Sequence, residues 1–221
     1  MIKAVIFDMD GVIVDSEPLW QKMLSMYLHT KGIDFVYNKK SLEFINQHFR
    51  GRKQKYITDI LKKKFHIPDS YQKILNDRLD ILFNLFKHNL RLVAGTIPFI
   101  KKLHKAGYPL VLASSSPHQV INYVLKQFNL KKYFKHVVSA DDVRLGKPHP
   151  DIFLRVAELL KEKPENILVI EDSISGIRAA HNAGMKCLAL KQPYTAKKYL
   201  KTTALAVENL SIIKPQTIKY L

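Results

Sequence analysis

A chain of 221 residues carries 36 Lys and Arg against 19 Asp and Glu, a formal net charge of +17, with 47% hydrophobic and 25% charged residues. That balance belongs to ordinary globular proteins and excludes a disordered chain or a collagen-like repeat, while a single cysteine, Cys187, rules out an intrachain disulfide. No apolar stretch approaches the roughly 20 residues that cross a bilayer, and the run Ala4 to Phe7 is stopped by Asp8 too early for a signal peptide. A cytoplasmic, monomeric protein with no membrane partner is expected. The basic excess suits an anionic partner, nucleic acid or a phosphorylated metabolite among them; no recognised nucleic-acid-binding motif accompanies it, so nucleic acid is not expected as the main partner.

In chain order, Lys3 to Asp8 opens a series of short apolar runs that end on polar residues. Pro109 to Ser114, His136 to Ser139, Asn166 to Asp172, Lys186 to Leu190 and Ala204 to Val207 continue it. Continuous rather than alternating apolarity predicts strands buried on both faces of a parallel sheet. Helical spacing lies between them. Ile97, Ile100, Leu103 and His104 form a stripe that stops at Gly107; Val120, Val124, Leu125 and Phe128 form another; Ile174 to Ala183 starts after Ser173, an N-cap residue, and stops at Gly184. The prediction is an α/β fold, a doubly wound, Rossmann-like parallel sheet with right-handed crossovers.

Residues 16–87 break that rhythm. They read as four helices, Leu19 to Lys31, Leu42 to Phe49, Lys53 to Phe65 and Tyr71 to Lys87, with no strand. An all-helical insertion directly after the first strand reads as a cap above the C-terminal edge of the sheet. The expected division is a core of residues 1–15 and 88–221 and a helical cap of residues 16–87.

The polar residues that close the strands carry the chemistry. Asp8 and Asp10 are two apart, so an extended chain places both carboxylates on one face, and Gly11 permits a sharp turn after them. Ser114, Ser115 and Ser116 precede a helix, where hydroxyls and free backbone N–H groups suit an oxyanion or simply cap the helix. Gly146-Lys147-Pro148-His149-Pro150 is a rigid loop presenting one lysine, and Glu171-Asp172 are paired acids at the end of an apolar strand, costly unless solvated, paired or bound to a cation. Ligands of parallel α/β sheets sit outside the C-terminal strand ends. Acids for a hard cation, a lysine and hydroxyls for an anion, and a second carboxylate to move a proton together suit phosphoryl transfer with Mg²⁺.

These four motifs, Asp8-Met-Asp10-Gly-Val, Ala113-Ser114-Ser115, Gly146-Lys147-Pro-His-Pro150 and Glu171-Asp172-Ser-Ile-Ser-Gly176, stand in the order of the haloacid dehalogenase superfamily. The chain resembles its capped phosphatases and phosphomutases over its whole length. The resemblance implies that Asp8 is the nucleophile that takes the phosphoryl group, and that Asp10 is the acid for the leaving group and then the base for water. It implies that Ser114, Ser115 and Lys147 hold phosphate oxygens. It also implies that Mg²⁺ is held by Asp8, Asp10 through its backbone carbonyl, and Asp172, with Glu171 at or beside the metal.

The dehalogenating relatives generally lack an acid two residues after the nucleophile, so Asp10 favours phosphoryl transfer. Sugar mutases of this kind carry a histidine where Trp20 stands, and Asp15-Ser16-Glu17-Pro18-Leu19-Trp20 resembles the hinge of sugar-phosphate phosphatases. The expected activity is therefore hydrolysis of a small phosphorylated metabolite, a sugar phosphate or a phosphoglycolate-like compound, with a β-phosphoglucomutase-like phosphomutase as the alternative. Trp20, Gly51, Arg52 and Arg78 are the candidate substrate contacts from the cap, Trp20 either by stacking on a sugar face or by packing the hinge.

Overall fold

A computed structural model of the protein describes residues 1–191 and 200–221. Six strands form one sheet: β1 (Ala4–Phe7), β2 (Leu110–Ser114), β3 (His136–Ser139), β4 (Ile167–Glu171), β5 (Lys186–Leu190) and β6 (Leu205–Val207). Their order is β3-β2-β1-β4-β5-β6 and every pairing is parallel. The central strand reads Ala-Val-Ile-Phe and is buried throughout, because both of its faces are covered. Val5 and Phe7 join Leu110, Leu112, Leu168 and Ile170 in one core; Ala4 and Ile6 join Val111, Ala113, Ile167 and Val169 in the other. Each Val, Ile or Phe so buried contributes about 1.5–3 kcal/mol, which is why the strands read as unbroken apolar runs.

Helices α5 (Thr96–Lys105) and α6 (His118–Gln127) cover the first face, α7 (Asp151–Leu160) and α8 (Ile174–Asn182) the second. Phe7 meets Phe99 and Phe134 edge-on, with centroids 6.1 and 6.0 Å apart, an aromatic contact that ties α5 to the sheet. Cys187 is buried among the small residues of the second face, and burial pushes its thiol far above the usual range. His104 corrects the stripe expected for α5. It is exposed, its ring edge-on to Tyr133 at 5.4 Å, because the buried face is complete with Phe99, Ile100 and Leu103.

Between β1 and α5 lie α1 (Glu17–His29), α2 (Lys39–His48), α3 (Gln54–Phe65) and α4 (Tyr71–Asn89), and no strand is assigned there. The longest, α4, packs along α1 and buries Ile74, Leu79, Leu82 and Phe86 at helical spacing. Two chain segments connect these helices to the sheet, and they run side by side. Val14 bridges Leu92 in antiparallel fashion, with Asp15 N–H donating to the Arg91 carbonyl and Val93 N–H to the Ile13 carbonyl, each at 2.9 Å. No helix among the described residues is long and apolar enough to cross a membrane.

Candidate active site

The site lies where β1, β2 and β4 end. Asp8 follows β1, its N–H held by the Ile170 carbonyl at 3.0 Å, and Gly11 (φ 79°) turns the chain back so that three N–H groups, of Val12, Ile13 and Val14, point to the Met9 carbonyl. Lys147 reaches in from the loop after β3. Its ammonium, 1% exposed, lies 2.6 Å from Asp8 Oδ1 and 2.5 Å from Glu171 Oε1. Burial opposes the lysine charge, but the two carboxylates outweigh it and hold the ammonium above the ordinary lysine range. Asp8 moves the other way from an ordinary salt-bridged acid. Burial, with Glu171 and Asp10 nearby, lifts its carboxyl well above the usual range despite Lys147.

Glu171 is the most constrained of these acids. Its Oε2 accepts from the N–H groups of Asp172 (3.0 Å) and Ser173 (2.9 Å) and from the Ser173 hydroxyl (2.9 Å). Ser173 also caps α8, accepting from Gly176 N–H at 3.0 Å. A Cβ on Gly176 would stand 1.8 Å from Glu171 Oε1, so glycine is required for α8 to approach the carboxylate. Gly176→Ala is expected to cost about 1–3 kcal/mol of stability, the usual range for overpacking, and to lower turnover by displacing Glu171 and Lys147. Denaturant unfolding with a parallel rate measurement checks this, and an unchanged midpoint would refute the close packing.

Asp8, Glu171 and Asp172, all buried, each offer a carboxylate oxygen within 4.8 Å of the others. The set is made of hard oxygen donors and carries more negative than positive charge, one lysine against three carboxylates. Both properties fit Mg²⁺. The side chain of Asp10 is not in that cluster. Its Oδ1 accepts from Ser16 Oγ (2.5 Å) and Trp20 Nε1 (2.9 Å), and its Oδ2 from Ser116 Oγ (2.8 Å), with Ser114 Oγ at 3.4 Å.

The three serines divide. Ser115 and Ser116 line the cavity beside Asp8, Asp10 and Asp172, whereas Ser114 is fully buried and accepts from Ser116 N–H at 3.1 Å. The Ser115 hydroxyl is turned to the Gly51 carbonyl at 2.8 Å. That contact is one of several by which residues 50–53, between α2 and α3, rest on the sheet side of the molecule. Ser175 donates to the Arg50 carbonyl (2.9 Å), Arg52 Nη1 to the Lys147 carbonyl (3.3 Å) and Lys53 Nζ to the Val143 carbonyl (2.7 Å). Gly51 has φ 63°, and a Cβ there would come within 2.3 Å of Ser175 Oγ, so only glycine permits this docking.

Between the two parts is a cavity lined by residues of both. Its roof is largely apolar, with Met23, Leu24, Ile45 and Phe49, and Trp20, Arg52 and Arg78 also line it. Arg78 is 3% exposed; burial lowers its guanidinium to about 10, Nη1 is 3.5 Å from Thr58 Oγ1, and Nε has no hydrogen-bond partner among the described residues. Glu17 pairs with Arg50 at 3.1 Å; burial nevertheless pushes Glu17 up to about 7, Arg50 opposing and Asp10 and Asp15 adding. Glu17 and Gln54, which both line the cavity, were not among the residues expected from sequence. Their signal, ordinary polar residues on helices, is indistinguishable from a solvated face until the fold turns them inward.

The geometry is that of a site for an anionic group at the end of a parallel sheet. Residues 2–184 match the family description of a haloacid dehalogenase-like hydrolase, most of the chain. The chain belongs to the haloacid dehalogenase-like hydrolases. This hydrolase is 33% identical to a phosphorylated carbohydrates phosphatase of Thermotoga maritima, over 84% of its own chain and 83% of the relative. It is 31% identical to (DL)-glycerol-3-phosphatase 2 of Arabidopsis thaliana, over 97% and 90% of the two chains. Among solved structures, β-phosphoglucomutase from Clostridium difficile superposes with a TM-score of 0.82 at 25% identity, covering 100% of this hydrolase and 96% of that chain.

Proposed function

We propose that this hydrolase is a Mg²⁺-dependent phosphatase of a small phosphorylated metabolite, a sugar phosphate or a phosphoglycolate-like compound. The observation that carries the reading is the buried Asp8–Lys147–Glu171 cluster, whose Asp8 lines the cavity, with a second carboxylate, Asp10, held separately beside it. The Thermotoga and Arabidopsis relatives, named as phosphatases of phosphorylated carbohydrates and of glycerol 3-phosphate, support it. In this reading residues 1–15 and 88–221 are the catalytic core and residues 16–87 the cap.

Asp8 attacks phosphorus, the bond to the leaving oxygen breaks, and Asp10 gives that oxygen its proton. Water then attacks the aspartyl-phosphate, Asp10 takes a proton from it, and the bond to Asp8 breaks to release inorganic phosphate. Lys147 sets against the phosphate oxygens a positive charge that lowers the repulsion Asp8 meets; two unit charges 4 Å apart repel by about 4 kcal/mol at an effective dielectric of 20. Ser115, and Ser114 through Ser116, shape the anion pocket. Mg²⁺, held by Asp8, Glu171 and Asp172 with the Asp10 backbone carbonyl, supplies further neutralisation of the phosphoryl oxygens when bound. The apolar roof selects for size, and Arg78 offers a buried donor to a polar group on the leaving portion of the substrate.

The test is release of inorganic phosphate from a panel of sugar phosphates, glycerol phosphate, phosphoglycolate and nucleotides, with Mg²⁺ and with chelator. Release from one class of small phosphates, abolished by chelator and restored by Mg²⁺, is the expected result. Metal-independent release would overturn the metal assignment. Interconversion of β-glucose 1-phosphate and glucose 6-phosphate without net release would replace the phosphatase by the phosphomutase.

A further inference from the structure

The longest stretch of the chain without an acid, residues 81–140, contains nine Lys or Arg. The fold gathers six of its lysines at the end of the sheet away from the cavity. Helices that join parallel strands run back against them, so α5 and α6 finish at the edge where the strands begin. The last turn of α5 carries Lys102 and Lys105, that of α6 carries Lys126, and the 3₁₀ turn Lys131–Tyr133 adds Lys131 and Lys132. Lys135 stands before β3, its N–H on the Leu110 carbonyl at 2.8 Å, level with the start of β2. His104 and Tyr133, with ring centroids 5.4 Å apart, join α5 to that turn. Ser114, at the active site, is four residues further along β2 than Leu110, about 13 Å at the usual rise of a strand.

All six lysines are exposed, and none is in an ion pair among the described residues. Elsewhere Lys3, Lys31, Lys55 and Lys73 each meet a carboxylate within 3.4 Å. Of the acids on the neighbouring part of that edge, Glu158 pairs with Arg155 at 3.0 Å and Glu162 with Lys3 at 3.2 Å, and Glu165 lies beyond them before β4. A cation in the last turn of a helix offsets the helix dipole, which accounts for Lys102, Lys105 and Lys126 but not for Lys131, Lys132 and Lys135. We propose that this surface binds the phosphate backbone of a nucleic-acid duplex without reading its sequence. Lysine is a compact point charge suited to phosphate contact, whereas base reading favours the fork of arginine, and residues 92–140 contain no Arg. That no nucleic-acid-binding motif is present bears on base reading, not on backbone contact. A bilayer fits less well. Adsorption to a membrane adds inserted apolar side chains to basic ones, and the exposed Ile212 and Tyr220 have no large apolar counterpart in residues 96–140. Docking here leaves the cavity, at the opposite edge of the sheet, open to small substrates.

Fluorescence anisotropy with a short labelled DNA duplex of arbitrary sequence, titrated with the full chain in chelator, tests this. Neutralising about six phosphates gives a slope of log K against log salt near −5 and a loss of about 10³-fold between about 50 and 200 mM salt. Lys102→Gln, Lys105→Gln, Lys131→Gln and Lys132→Gln, made together, are expected to flatten the slope by about 1 per lysine and to weaken binding at the lower salt by at least about 30-fold. Arginine at the same four positions keeps the charge and is expected to bind as wild type does. A second variant lowers the net charge equally at exposed positions of the cap, Lys39→Gln, Lys40→Gln, Lys63→Gln and Lys87→Gln, and is expected to bind within about threefold of wild type. No binding at the lower salt, binding that salt does not weaken, or a glutamine variant of the surface that binds unchanged would overturn the proposal. An equal loss in the cap variant would also overturn it, by making binding an effect of net charge. So would tighter binding to vesicles of phosphatidylcholine and phosphatidylserine than to the duplex, lost in the surface variant, which would put a membrane in the place of nucleic acid.

Discussion

Replacing Asp8 by Asn is expected to abolish turnover, by about 10⁴-fold or more as for other enzymes deprived of a nucleophile, while leaving the protein folded and no less stable. The amide cannot form the phosphoenzyme, so acid-quenched protein mixed with radiolabelled substrate should retain no label, where wild type retains some. The stability half of the prediction follows from burial. Asp8 is buried, and its carboxyl is raised above the usual range chiefly by desolvation. A carboxyl whose folded value lies above its unfolded one favours folding in its protonated form, and that benefit is lost as pH climbs from the unfolded value toward the folded one. The wild type therefore carries the cost of an ionised Asp8 at higher pH, and the variant does not. Melting temperatures in chelator should show Asp8→Asn gaining on wild type as pH rises above about 4, the ordinary range for an aspartate. A variant that melts far below wild type at neutral pH would mean that the Asp8–Lys147 pair stabilises more than its burial costs.

The sheet was legible because burial on both faces leaves a simple signature. Ala4–Phe7, Leu110–Ser114 and Ile167–Glu171 are apolar at consecutive positions, and such runs ending on Asp8, Ser114 and Glu171 place those residues at one edge. His104 misled for a local reason: helical spacing allows it onto the stripe, yet the layer above the sheet was already filled by Phe99 and Leu103. The helical insertion was legible as helices, and its candidate substrate contacts Trp20, Gly51, Arg52 and Arg78, all of which line the cavity, were reached through the family resemblance rather than through helical spacing. Periodicity says which face of α1 or α4 is apolar, but not that Arg78, on a helix with buried Leu79 and Leu82, points into a cavity.

The second oxygen shell was equally hidden. That Ser16, Trp20 and Ser116 converge on one carboxylate depends on a hinge and a helix start 100 residues apart, and single-residue chemistry gives no sign of it. Glycine was the better guide. Gly51 and Gly176 each stand where a methyl group would strike a polar atom of the site, and both occur within segments that already carried other site residues.

Lys147→Met is expected to be the most damaging change to the fold among the site residues. Among the described residues the lysine is the one cation in contact with both Asp8 and Glu171, and its side chain is 1% exposed, so methionine fills the volume and leaves two buried carboxylates facing each other. Removing one partner of a buried ion pair costs about 3–5 kcal/mol, because the uncompensated charge stays behind. Wild-type Lys147 titrates above the ordinary lysine range, so its contribution is fully present below about 10.5, the unfolded value, and is lost only at higher pH. The deficit of the variant should therefore be full at neutral pH and shrink in acid, where Asp8, its carboxyl raised above the usual range by burial, takes up a proton and no longer needs a cation. Added Mg²⁺ should recover part of it, since the oxygens freed by the lysine belong to the same cluster as Asp172. Unfolding midpoints at pH 5 and pH 8, with Mg²⁺ and with chelator, measure all three effects. A Lys147→Met protein as stable as wild type at pH 8 in chelator would show that the carboxylates are held by something other than the ammonium, and the charge balance on which the site has been built would fall with it.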